Sequence, residues 1–578
     1  MLATQYFTNE VTSEINRQNI LCDYDLIKVD VNKSSKKGDY SKIWIYLKNK
    51  INVIAYYKSG STIFLLTEKK EISKINYTET NKLKCHMKII DAQTVNGIYK
   101  NILLNILIGL YGTSGNMFTL GDFQNGCFII HDKQKSKVIT MKFFIDKNNL
   151  LSLNVITFSK IKCTKTNINK YIFYTIEGNK LIRVLKPLEV EGDLFIQKNR
   201  GKKSKIDFIN FEKDFLKSKV GYLSVFMENI NLALSKYIVI DLKQKEFVCL
   251  LSGTNKKDKI IELKENIIKG FLNSKCINII DYEDSLNATY KDELIIKFTK
   301  YFNKKIDVKF TKNLTKDVPT FVFINEKHEY KDNDPYLKLK KQNKLTQMIT
   351  YKIAKSLLRE DVIFEALLKE LMIKTEIVNN KFYLSTKWSI FKEFIFFIQS
   401  KKDDDISYKK IYIDNNEIKT EDLTLLDQLK IQKINKINEQ EKNIELIAFK
   451  DDDYFVVAKM DQFVLPNFNN CLKIYKNFIN NNEIPRLRRK EFRKDTITGS
   501  GVNYVIEDNS LIYYSSINTL NPNAKISKAN ILRKIYFSNL DFDYKNLLNS
   551  LDEYFIRNKE FTVLPFVVKY LSEYLSFK

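Results

Sequence analysis

Tyr336, Lys340, Gln347 and Lys374 are the residues of this chain best suited to holding an anion. They offer a phenol, an amide and two ammonium groups. A doubly charged terminal phosphate needs several donors and net positive charge at once. Tyr336 and Lys340 lie four apart, so on a helix they share a face. Gln347 follows in a short Leu-Thr-Gln strand or turn. Lys374 comes at the end of an amphipathic helix whose buried side carries Ile363, Phe364, Leu367, Leu368 and Leu371. Taken singly, each lysine is ordinary in a chain with 95 basic residues. Four residue types in this order, two of them at helical spacing, are what point to a phosphate pocket.

Other chemistries find less support. The three histidines (His86, His131, His328) are too few and too dispersed for a zinc site or a Ser-His-Asp triad. Seven cysteines stand singly with no CxxC pair, which fits free thiols in a reducing compartment. Against 69 acidic residues the 95 basic ones give a net charge of +26, so a polyanionic partner is expected. The N-terminus lacks a basic segment followed by an apolar core, and the most apolar run, Ile102 to Leu110, is too short to span a bilayer. A soluble cytoplasmic protein is the expectation.

The elements that must position the four residues follow from the apolar patterning. With 44% hydrophobic and 13% aromatic residues, 578 residues suffice for three or four folded domains. Residues 1–205 read as a β-rich module. Its strands are expected at Ile43–Leu47, Val53–Tyr57, Ile63–Leu66, Phe128–Ile130, Val138–Phe144, Leu151–Phe158, Ile172–Ile176 and Leu181–Leu185, with one helix over Asn96–Leu110. The basic, Gly-containing break Lys198–Lys205 marks the first boundary. Over 206–378, strands at Tyr237–Ile240, Phe247–Leu251, Cys276–Ile280, Ile306–Phe310 and Phe321–Ile324 alternate with helices such as Ile260–Leu272 and Lys291–Phe302. That alternation predicts a three-layer α/β domain with a largely parallel sheet, whose ligands gather beyond the carboxyl ends of the strands. From 379 to 578 a second α/β domain is expected. It begins with the buried strand Phe394–Ile398, continues with Tyr408–Ile413 and a helix over Leu423–Glu441, and reaches a further strand at Ile444–Phe449.

The stretch Asp334–Lys374, with its Tyr-Lys-Gln-Lys set, resembles the MID domain of prokaryotic Argonautes. Pro485–Lys490 resembles the basic strand before that family's last sheet pair, and Leu564–Leu571 is close to the Pro-x-x-x-Lys/His-Tyr-Ala ending of many members. The resemblance covers about 230 to 578. It implies a β-rich N-terminal/linker module, a Rossmann-like MID domain and an RNase H-like PIWI domain. It further implies that Tyr336, Lys340, Gln347 and Lys374 grip the 5′ phosphate of a short guide RNA or DNA, which pairs with a complementary target. Mg2+ at that phosphate is also implied, with the C-terminal carboxylate of Lys578 placed near Gln347 to help hold it.

Active members close their first PIWI strand with an Asp, one of the carboxylates that hold two divalent ions around the scissile phosphate. Here the run Phe394–Ile398 ends in Gln399-Ser400, and an amide does not replace a bridging carboxylate. Asp403, Asp404 and Asp405 follow in a turn, Asp451 stands where the family's later Asp is usual, and Glu417 and Glu421 are candidates for a remnant of the family's mobile glutamate. The resemblance therefore implies a nuclease-inactive, guide-binding protein of prokaryotic defence that signals to a separately encoded effector, with the N-terminal module as the docking surface. Two alternatives stay open: an active guide-directed endonuclease with an atypical metal site, and a guide-independent nucleic-acid-binding protein.

Overall fold

The computed structural model describes most of residues 3–197, 216–250, 264–380, 391–465, 467–476, 501–516, 530–539 and 544–561. The break at 198–205, the basic run 485–490 and most of the chain ending from 562 lie outside the described residues. No helix among those described is long and apolar enough to cross a membrane.

The chain opens with β1 (Ala3–Ile15), then forms a four-stranded antiparallel sheet. Its strands are β2 (Tyr24–Val31), β3 (Val53–Ser59), β4 (Thr62–Glu68) and β5 (Cys85–Ile89). Gly60, at φ +60°, makes the turn between β3 and β4 that the sequence signals. The run Ile43–Leu47, expected as a strand, is instead part of helix α1 (Lys37–Lys50). It buries Ile43, Trp44 and Leu47 while Ile45 is exposed, which is the one-sided spacing of a helix and not the alternation of a strand. Trp44 packs its ring 4.5 Å from that of Tyr56 on the sheet. The tertiary environment here outweighs the strand preference of Ile, Trp and Tyr.

The buried helix α2 (Lys100–Tyr111) comes next, and then a seven-stranded antiparallel sheet. In chain order its strands are β6 (Met117–Thr119), β7 (Gly126–Ile130), β8 (Lys137–Ile145), β9 (Leu151–Ile161), β10 (Phe173–Glu177), β11 (Lys180–Val184) and β12 (Leu194–Gln197). Helix α3 (Lys219–Ala233) then leads into β13 (Ile238–Leu250). Residues 238–250, expected as two strands opening the parallel domain, form this single strand, and it pairs antiparallel with β1.

Beyond β13 the chain enters the parallel domain. Strands β14 (Cys276–Asp281), β15 (Asp307–Phe310), β16 (Thr320–Ile324) and β17 (Thr346–Thr350) are all parallel, in the order β15-β14-β16-β17. Helices α4 (Ala288–Tyr301), α5 (Tyr336–Gln342), α6 (Tyr351–Arg359) and α7 (Asp361–Val378) complete it. Phe321, Phe323 and Ile349 face one way, into a core with Phe298, Phe364, Leu368 and Leu371 of α4 and α7. Val322, Ile324 and Met348 face the other way, where Leu339 of α5 covers them. Each fully buried side chain of this kind is worth about 1.5–3 kcal/mol. Residues 267–271 are helical and lie so close to α7 that a Cβ on Gly270 would collide with Met372 Cγ and stand 2.8 Å from its Sδ.

The last region departs from expectation. Strands β18 (Ile395–Lys402), β19 (Asp405–Asp414), β20 (Glu417–Glu421), β21 (Ile444–Lys450) and β22 (Asp453–Leu465) are where the apolar runs place them. Helix α8 (Leu425–Ile437) lies between β20 and β21, but β21 runs antiparallel to β18. Helix α8 is therefore not the crossover of a parallel βαβ unit, and the second α/β domain of RNase H type is not what this sheet forms. A two-residue turn, with Asp451 at φ +52°, sends the chain straight back into β22.

Strands β23 (Gly501–Glu507), β24 (Ser510–Ser516) and β25 (Asn530–Phe537) finish the sheet. The order β1-β13-β23-β24-β25-β22 closes on itself through Phe7↔Leu465 and Thr8↔Val464, making a six-stranded antiparallel barrel. Tyr6, Phe247, Val464, Ile512, Tyr514 and Leu532 fill its interior. Closure hangs on Asn9, buried at the bulge of β1. Its Oδ1 accepts from Phe463 N at 2.9 Å, and its Nδ2 donates to the carbonyls of Leu151 (3.3 Å) and Asp461 (3.5 Å). The fold is thus mixed α/β, with an antiparallel barrel built from both ends of the chain beside a parallel sheet with helices.

Candidate nucleic-acid end-binding site

Gln347 is the second residue of β17, an edge strand of the parallel sheet, opposite Phe321 of β16. It points to the α7 side and is only 7% exposed. Lys374, three turns into α7 and 6% exposed, reaches it: the ammonium donates to Gln347 Oε1 and, at 2.9 Å, to the Thr346 carbonyl. Gln347 Nε2 donates in turn to Glu370 Oε2 at 3.2 Å. Two of the four residues singled out are therefore brought into contact, with a carboxylate beside them. The pair also ties α7 to the edge strand. Loss of Lys374 would leave a buried amide oxygen and a carbonyl short of a donor, at a cost of about 1–3 kcal/mol each.

Tyr336 and Lys340 share α5, as their spacing implies, with Tyr336 38% exposed at the helix start. Helix α5 covers the opposite face of the sheet from α7, since Leu339 packs on Val322 and Met348 while Gln347 faces Glu370 and Lys374. The four residues flank the edge strand β17 from two sides. Lys340 lies one turn before Asn343, which fixes the amino end of β17 by donating to the carbonyls of Thr315 (3.0 Å) and Val318 (2.8 Å).

Gln347, Lys374 and the end of α5 nearest Lys340 are at the amino end of β17, which corrects the expected position beyond the carboxyl ends, while Tyr336 opens α5 away from that rim. The order β15-β14-β16-β17 reverses between β14 and β16, so the crevice where such folds take ligands lies outside Asp281 and Ile324. That place is filled by a self-contained network the sequence reading missed. Asp281 accepts from the Tyr351 hydroxyl (2.6 Å), Ser285 N (3.0 Å), Leu286 N (2.9 Å) and Lys291 Nζ (2.9 Å). The Tyr330 hydroxyl donates to Glu283 Oε1 at 2.8 Å. Burial opposes ionisation of Asp281, but the Tyr351 hydroxyl, the Lys291 ammonium and the two backbone donors outweigh it and hold the carboxyl below the usual range. The Asp-x-x-x-Ser/Leu turn before an Asn N-cap was the available signal.

A divalent ion at Gln347 finds no fit among the described residues. The amide oxygen is occupied by the Lys374 ammonium, and Glu370 is the one carboxylate in hydrogen-bond contact with the amide. No group of three His, Cys, Asp or Glu that could hold a metal occurs among the described residues, and Lys578 lies outside them.

The acids considered for a nuclease site are dispersed. Gln399 stands opposite Tyr408 in the β18–β19 register. Glu417 pairs with Lys419 at 2.8 Å, and Glu421 accepts from Tyr412 (2.6 Å) and Lys410 (3.1 Å), which lower its pKa. Asp405 opens β19, while Asp403 and Asp404 lie outside the described residues. Because Ile395 pairs with Phe449 and Ile398 with Leu446, Asp451 projects past the start of β18 while Gln399 follows the other end of the β18–β21 pairing. Compared with known proteins, the chain matches no family model and no curated protein sequence.

Proposed function

We propose that this protein binds a nucleic-acid strand by its 5′-terminal phosphate, in the manner of a guide-binding Argonaute, without cutting the paired target. The observation that carries the reading is the meeting of Gln347 and Lys374 at the edge strand of a parallel α/β sheet, with Lys340 and Tyr336 on the helix flanking the same strand. The net charge of +26 supports a polyanionic partner. The wide separation of Gln399 and Asp451 supports the non-cleaving half. A protein that binds without cutting acts in defence through a separately encoded effector, and that partner is part of the proposal.

A second reading, nucleic-acid binding without a guide, draws on one observation: Glu370 accepts from the Gln347 amide, so the pair is satisfied inside the protein without a phosphate. Sequencing the nucleic acid that co-purifies, with its 5′-end chemistry recorded, separates the two. Short strands of uniform length carrying a 5′ phosphate are expected. Heterogeneous fragments with mixed ends would favour the second reading.

A further inference from the structure

The parallel domain is electrically polar along its strands. At the carboxyl ends of β14 and β16, among the described residues, Asp281, Glu283, Asp284 and Glu326 stand with Lys291 and Lys352, and ion pairs join most of these groups. Lys291 bridges Asp281 and Asp284 at 2.9 Å each, and Lys352 pairs with Glu326 at 3.2 Å.

At the amino ends the sign reverses. The turn from α4 to β15 presents Lys304 and Lys305, the loop into β16 presents Lys316, and the turn from α5 to β17 presents Lys341 and Lys344, all exposed. Asp307 and Asp317 are the acids these turns carry. The lysines are fixed in place by the backbone. Asn303 and Lys304 adopt left-handed φ values of +50° and +60°, which turn the first pair outward. Asn343 clamps the second and third turns together through its bonds to Thr315 and Val318. The sheet order sets the sequence of charges across this rim: Lys344 at β17, Lys316 at β16, then Lys304 and Lys305 at β15.

We propose that this amino rim is the track for the sugar–phosphate backbone of the bound strand. The 5′ end sits at Lys374 and Gln347, and the following phosphates cross Lys344 and Lys316 toward Lys304 and Lys305. Three inter-strand spacings cover about 14 Å, room for the first few nucleotides. The direction of the track rests on the end-binding reading, but the test separates the two. Each lysine–phosphate contact on a single strand contributes about −0.7 to the slope of log K against log salt.

The experiment is a salt titration of binding to single strands of one length, with 5′-phosphate or 5′-hydroxyl ends. It compares the wild type with the triple variant Lys304→Gln, Lys305→Gln, Lys316→Gln. The expected result is a slope shallower by about 2, with the preference for the 5′ phosphate unchanged. An unchanged slope with an intact phosphate preference would overturn the track. A shallower slope in a protein with no phosphate preference would keep the rim as a nucleic-acid surface and remove the end-binding reading.

Discussion

Gln399 and Asp451 stand at opposite ends of one antiparallel strand pair. The β18–β21 register sets Asp451 beside the residues that precede β18, roughly six strand positions from Gln399, which is about 20 Å along the strands. Paired metal ions in phosphoryl-transfer sites lie about 4 Å apart, so carboxylates at these two positions would not share them. Strand direction, more than the identity of residue 399, keeps these two positions apart.

The first prediction comes from that separation. The purified protein, supplied with a 5′-phosphorylated strand and its complement, is expected to leave the complement intact in magnesium or manganese. Gln399→Asp is expected to change nothing. Gel analysis of an end-labelled complement checks this, and a metal-dependent cut at one fixed position that disappears in Asp451→Ala would contradict the account.

The network at Asp281 gives a pH prediction. Its carboxyl is held below the usual range, so its contribution to stability is present above the unfolded value near pH 3.9 and is lost as pH falls through the lower native value. Asp281→Asn is expected to destabilise by about 1–3 kcal/mol at neutral pH. The gap from wild type should narrow below about pH 4. Urea unfolding at both pH values reads it, and a gap that is constant with pH would show that charge is irrelevant there.

Gly270 makes a packing prediction. A methyl group at this position meets Met372 Cγ and Sδ, and overpacking of this sort costs about 1–3 kcal/mol. Gly270→Ala is expected to lower the melting temperature. Combined with Met372→Ala, its cost should be less than the sum of the two single changes. Strict additivity would show that the two side chains do not compete for space.

The parallel domain from 276 to 378 was readable because its strands are short continuous apolar runs separated by amphipathic helices, and that alternation encodes parallel pairing. Gln347 and Lys374 were readable as candidates because, with Tyr336 and Lys340, they form an ordered set of donor types suited to a phosphate. Their contact was not, since it depends on which face of β17 meets α7. The direction of β21 was hidden for a different reason: Ile444–Phe449 is buried on both faces, and an apolar run looks the same whichever way it pairs. The barrel was also beyond reach. It joins β1 to β13 across more than 200 residues and to β22 across more than 400, through the bulge at Asn9 that no local pattern announces. Ile43–Leu47 misled through composition, because Ile, Trp and Tyr favour strands unless packing demands a helix.

The central claim is end recognition by lysines at the edge of β17, and one measurement addresses it directly: the affinities for 5′-phosphorylated and 5′-hydroxyl versions of one strand, in the wild type and in Lys340→Ala with Lys374→Met. Methionine keeps the volume of the buried side chain, and a melting curve confirms that the variant is folded. Charge-assisted bonds of about 1.5–3 kcal/mol each predict a loss of roughly two to four decades for the phosphorylated strand if the two are additive. The hydroxyl strand should lose little. Equal losses for both strands would contradict the end-binding site and leave general basicity as the source of binding.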